Sequence, residues 1–151
     1  MSELKDRLQA DLTAAMRGRD ELTTATLRMA LAAVTTEEVA GTAARELSDD
    51  DVLKVLAREA KKRREAADAF SSAGRAELAQ RERDEGGVLD RYLPQQLGDA
   101  EIAALVTEAI AETGATGMPQ MGAVMKAAQA RAAGRADGKR LSTEVRRQLA
   151  G

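Results

Sequence analysis

The chain is predicted to be all-α, with an N-terminal helical domain of about four helices over residues 1–97 and a small three-helix C-terminal domain over residues 98–151. Three observations predict it. Apolar residues recur at three- and four-residue spacing through most of the 151 positions. The segments that carry this period are bounded by capping residues, glycine or proline, with short polar turns between them. No segment shows the sustained period-two alternation of a strand.

Taken in order, Ser2 is placed to cap a first helix with Leu4, Leu8, Leu12 and Met16 in steps of four, which stops at Gly18. Asp20 caps a second. There Leu22, Ala25, Met29 and Ala33, with Leu27, Leu31 and Val34 beside them, form an apolar face wide enough for burial on more than one side before Gly41. Ser48-Asp49-Asp50-Asp51 reads as a capping box with three carboxylates at the positive end of a helix dipole. These acids are expected to start the helix rather than hold a metal, which would need ligands from other segments. From Val52 the pattern continues through Val55, Leu56, Ala60, Ala67 and Phe70 to Ala73-Gly74. Its basic run, Arg58 with Lys61, Lys62, Arg63 and Arg64, is interleaved with Glu59, Glu65 and Asp68 at ion-pair spacing, so a solvated face is expected.

A fourth helix is expected from about Arg75 to Leu93, with Gly86-Gly87 marking a bend or a close helix contact, until Pro94 ends it. Gln95-Gln96-Leu97-Gly98 reads as a linker. Asp99 is expected to cap a fifth helix striped by Ile102, Leu105, Val106, Ala109 and Ile110 and closed at Thr113-Gly114. Beyond it Met121, Val124, Met125 and Ala128, then Leu141, Val145 and Leu149, place two short helices around Gly134-Arg135-Ala136-Asp137-Gly138-Lys139. That hexapeptide reads as a tight polar turn. Gly134 supplies a left-handed closure, Asp137 caps the next helix with Gly138 beside it, and Arg135, Lys139 and Arg140 stand on the corner.

Composition narrows the chemistry. The chain has no Cys or His, which removes zinc sites built from them, thiol nucleophiles, Ser-His triads and disulfides. Aromatic content is 1%, so stacking platforms for single-stranded bases are scarce. Residues Met1 to Asp6 lack a signal-peptide pattern and no long apolar run follows, so a cytoplasmic protein without a membrane anchor is expected. No metal and no cofactor is expected: only three residues separate the glycines of the Gly134 turn, and Arg140 stands where a phosphate-binding loop needs Ser or Thr. The net charge is -2, yet from Pro119 onward seven cations (Lys126, Arg131, Arg135, Lys139, Arg140, Arg146 and Arg147) face two acids, Asp137 and Glu144.

Several pieces carry a family resemblance. Leu27-Arg28-Met29 followed by Glu37-Glu38, Lys61 to Gly74 with Phe70, Tyr92-Leu93-Pro94-Gln95-Gln96-Leu97, Met121-Gly122-Ala123-Val124-Met125 and the Gly134 to Lys139 turn occur in the order and at the spacings of the YqeY-like family. The likeness covers nearly the whole chain. From about residue 98 it is similar to the tail domain of the B subunit (GatB) of the glutamine-dependent aspartyl/glutamyl-tRNA amidotransferase. One departure is Gly98-Asp99-Ala100, where the resemblance implies a more acidic helix start. It also implies an all-α, two-part protein, and a tail that helps hold tRNA while amide transfer occurs elsewhere.

Three function classes follow. In the first, the chain is a tRNA or structured-RNA binding module, associated with an amidotransferase or aminoacyl-tRNA complex, whose seven tail cations contact phosphates and 2′-hydroxyls. In the second it is an enzyme, under the label the resemblance would transfer: a carbon-nitrogen ligase with glutamine as amido-N-donor. Residue chemistry opposes independent catalysis, because Cys is absent and Ser71-Ser72 reads as a helix-terminal turn. In the third it is a helical protein-protein adaptor with Met118, Met121 and Met125 at its surface, although their spacing favours core positions.

Overall fold

A computed structural model describes residues 2–151. Among them there are seven α-helices and no strand. Residues cluster into two compact units, Met1–Leu93 and Pro94–Gly151.

The first unit contains α1 (Glu3–Arg17), α2 (Glu21–Glu38), α3 (Asp49–Ser72) and α4 (Ala76–Asp90). Its starts follow the local chemistry. Ser2 accepts the Lys5 N–H at 3.1 Å, Asp20 accepts the Thr23 N–H at 3.0 Å, and Ser48 and Asp51 form the reciprocal capping box. Asp51 is held below the usual carboxylate range chiefly by the Ser48 N–H. Asp49 has a further role: it accepts the Ser2 hydroxyl and, at 3.1 Å, the Leu4 N–H, tying the start of α3 to the start of α1. Leu8 of α1, Leu27, Ala30 and Val34 of α2, Val52, Val55, Leu56 and Ala60 of α3, and Val88 and Leu89 of α4 form one core, closed by Leu47 and Tyr92. A side chain of this kind, fully buried, contributes about 1.5–3 kcal/mol.

Helices α3 and α4 form an antiparallel hairpin, and Gly86 is where they come close. A Cβ placed there would lie 3.7 Å from the Arg63 Cβ, whereas Gly87 faces open space. The close contact expected at this glycine pair thus belongs to Gly86 alone. Arg63 does not join the solvated face expected for its basic run. It turns inward against three carboxylates, Glu59 at 3.5 Å, Glu82 at 3.7 Å and Glu85 at 3.3 Å, and touches the Met29 sulfur. The outer residues of the run stay exposed, with Arg58 on Glu37 and Lys62 on Glu59.

The second unit contains α5 (Asp99–Thr113), a single 3₁₀ turn at Met118–Gln120, α6 (Met121–Ala132) and α7 (Gly138–Ala150). Ile102, Val106 and Ala109 of α5, Val124, Ala128 and Ala132 of α6, and Leu141 and Val145 of α7 make its core, with Leu97 added from the segment before α5. The α5 start differs from expectation. Gly98 is the N-cap and Asp99 the first helical residue, because Glu101 reaches back to accept the Gly98 N–H at 3.2 Å. Asp99 is thereby freed for another partner. Met121 and Met125 pack partly against this core, but Met118 is 43% exposed, since the 3₁₀ turn at Pro119 takes it off the helical period.

Candidate nucleic-acid interface

The α6–α7 corner is built by two successive left-handed residues and a cap. Ala133, at φ 50°, is the residue that closes α6, and Gly134, at φ 80°, follows it. The closure expected of Gly134 is therefore shared with an alanine. Asp137 caps α7 as expected, accepting the Arg140 N–H at 2.9 Å. Gly138 is the first residue of α7, outside the left-handed region, with open space about its Cα, so the turn does not require glycine there.

The corner also holds the segment that precedes α5. The Leu97 N–H donates to the Arg135 carbonyl at 2.8 Å, and Arg135 Nε donates to the Gln95 carbonyl at 2.9 Å. Arg140 donates through Nη1 to the Leu97 carbonyl at 2.8 Å and through Nη2 to Asp99 at 2.7 Å. A stretch with the composition of a linker is thus pinned at several points. Arg135 and Arg140, expected as phosphate contacts, have structural partners.

Two other tail cations are paired with carboxylates. Arg131 donates from Nη1 to Glu108 at 2.8 Å and from Nε to Glu112 at 3.0 Å, one turn apart on α5. Arg147 binds Glu144 on its own helix at 2.9 Å, and this bond is the main reason the Glu144 carboxyl lies below its ordinary range. The side chains of Lys126, Lys139 and Arg146 are exposed and have no hydrogen-bond or ion-pair partner among the described residues. Lys139 and Arg146 are seven residues apart, two turns of α7, and so share one face.

Charge across the whole unit is nearly even. Its seven cations meet six carboxylates, Asp99, Glu101, Glu108, Glu112, Asp137 and Glu144, for a net charge of +1. The excess of five counted from Pro119 is offset by the four acids of α5, three of which bind tail arginines. Those acids are the participants that a reading of the tail by itself passes over. The one sequence signal for them was Glu108 and Glu112 at a four-residue spacing, with Arg131 able to bridge both. Asp99, Ile102, Lys139, Arg140, Thr143 and Glu144 border a cleft whose walls carry two cations and two carboxylates. Such walls have no net preference for an anion.

α3 ends at Ser72, the Ser71 carbonyl accepts the Gly74 N–H at 3.1 Å, and neither serine hydroxyl has a hydrogen-bond partner among the described residues. No helix is long and apolar enough to cross a membrane among the described residues. Comparison with known proteins finds a family model described as "Yqey-like protein" that matches residues 5–149. No curated protein matches the chain.

Proposed function

The chain belongs to the YqeY-like family, and from that premise we propose that its C-terminal unit is a non-catalytic contact surface for the backbone of a folded RNA such as tRNA, used in the cytoplasm alongside tRNA-dependent amidotransfer. The observation that carries this reading is the face of α7 on which Lys139 and Arg146 stand exposed, neither paired with a carboxylate among the described residues. Lys126 on α6 is the third cation in that condition. The exposed pairs of Arg131 and Arg147 add to it: ion pairs at a surface are worth about 0–1 kcal/mol, so their arginines exchange readily onto phosphate. The similarity of this part of the chain to the tail of the amidotransferase B subunit supports the choice of tRNA.

A net charge of +1 makes the contact weak and salt-sensitive. With about three phosphates engaged, a fourfold rise in salt is expected to weaken binding by roughly 20- to 40-fold. Filter binding to bulk tRNA across a salt series measures this. Lys139→Ala with Arg146→Ala should flatten the slope of log affinity against log salt by about two phosphates' worth. Absence of salt-dependent binding in the unaltered protein would overturn the reading.

The second reading is a protein adaptor, favoured by the exposed Met118 beside the 3₁₀ turn. Capture of a protein partner that survives ribonuclease treatment and is lost on Met118→Ser would favour it.

A further inference from the structure

We propose that the corner between α1 and α2 is a phosphate-binding site in which the guanidinium groups of Arg19 and Arg28 grip the anion. It goes beyond the tail surface, since it lies in the other unit and uses none of the tail's residues. Met16, Arg19, Glu21, Thr24, Ala25 and Arg28 border an open surface cleft of about 490 Å³.

Arg28 belongs to the Leu27-Arg28-Met29 piece, and it is the member that packing leaves unexplained. Leu27 is wholly buried in the first core and Met29 touches Arg63. Arg28 is exposed and, among the described residues, meets no carboxylate; its Nη2 lies 3.2 Å from the Met16 sulfur. Arg19 is held in a conformation that favours glycine, φ 54°, while the glycine beside it, Gly18, sits at an unstrained φ of -80°. Glycine takes that conformation without strain, yet the glycine here stands one residue earlier. The left-handed position carries a guanidinium, which is the pattern of a backbone strained to present a side chain.

Local carboxylates are committed elsewhere. Asp20 accepts the Thr23 N–H at 3.0 Å and hydroxyl at 2.8 Å, and Glu21 gives both oxygens to Arg81 at 3.0 and 3.1 Å. Among the described residues the Thr24 hydroxyl makes no hydrogen bond, unlike those of Thr26 and Thr36 on the same helix, which donate to the carbonyl one turn back. Two planar forks of donors, one idle hydroxyl and a wall of thioether and methyl groups therefore face a common space. A planar carboxylate satisfies one fork with its two oxygens. A tetrahedral phosphate, with three or four acceptor oxygens, engages both. Its source is either the backbone of an RNA or a free phosphate monoester.

The test uses the full-length chain with ¹⁵N-labelled arginine. The Nε–H signals of Arg19 and Arg28 are followed at constant ionic strength during titration with inorganic phosphate, adenosine monophosphate and bulk tRNA. Saturable shifts of both signals are expected, with affinity reduced about tenfold or more by Arg28→Ala or Arg19→Gly. Arg19→Gly should at the same time raise the Tm, because glycine adopts the left-handed conformation without strain, so loss of binding in that variant cannot be a loss of fold. Glu21→Gln removes the negative charge on the rim and should tighten binding a few-fold. Displacement of the monophosphate by tRNA at low concentration identifies an RNA backbone as the source, and saturation by phosphate or monophosphate without such competition identifies a free monoester. The Lys139→Ala, Arg146→Ala variant should leave these shifts intact, which separates this site from the tail. Signals that drift without saturating for every ligand, or unchanged affinity in Arg19→Gly and Arg28→Ala, would overturn the proposal.

Discussion

Tyr92 Oη donates to Asp11 at 2.6 Å, and the Arg7 guanidinium lies over its ring, 4.7 Å from the centroid. Burial, reinforced by the bond to Asp11, pushes the phenol up to about 12 from 10. Folding therefore favours the neutral phenol; its contribution is complete below pH 10 and is lost as the pH rises through about 12. Tyr92→Phe should cost about 1 kcal/mol at neutral pH and flatten the alkaline limb of the stability curve, as read from urea melts across that range. Arg63 carries a larger share. Replacing it by Met would leave Glu59, Glu82 and Glu85 without their shared cation, and losing one partner of a buried ion pair costs about 3–5 kcal/mol. Urea denaturation of that variant beside the unaltered protein measures the loss. Arg19→Gly should gain about 1 kcal/mol from relieved left-handed strain.

At the scale of the element, the glycine pair in α4 separates two effects. Gly87 faces open space, so Gly87→Ala should gain about 1 kcal/mol of helix propensity. Gly86→Ala should also be tolerated, with its Cβ in ordinary contact with Arg63, but Gly86→Leu should force α3 and α4 apart and lower the Tm by several degrees. Thermal melts of the three variants decide this. Helix starts at Ser2, Asp20, Ser48 and Asp137 were legible in the sequence because a cap is a contract between residues three apart. Gly98 was not, since a cap without a side chain is visible only through Glu101 reaching back. The inward turn of Arg63 escaped for a related reason: spacing of three and four pairs charges equally well on a wet face and a buried one. Only α4, packed alongside, decides which it is.

Across the molecule, each unit has its own core, and the second has no aromatic residue in it. A unit of its length has about 3–9 kcal/mol of stability in total, while Leu141→Ala removes about 2–5 kcal/mol. That substitution should take a large share of the unit's stability and speed amide hydrogen exchange in α5 to α7 while leaving that of α1 to α4 unchanged, as two-dimensional NMR would register. The fold class was legible because period and breakers are local properties of the chain. Tail chemistry was legible only in part: the partners of Arg131, Arg135 and Arg140 lie between 19 and 43 residues earlier, and counting charges from Pro119 leaves them out. The uneven company the arginines keep has a consequence for covalent labelling. Phenylglyoxal adds to guanidinium nitrogens it can reach, so partial modification followed by peptide mass mapping should mark Arg19, Arg28 and Arg146 early, Arg140 later and Arg63 last. The order of labelling would then trace, in a single tube, which positive charges the fold consumes and which it leaves on offer.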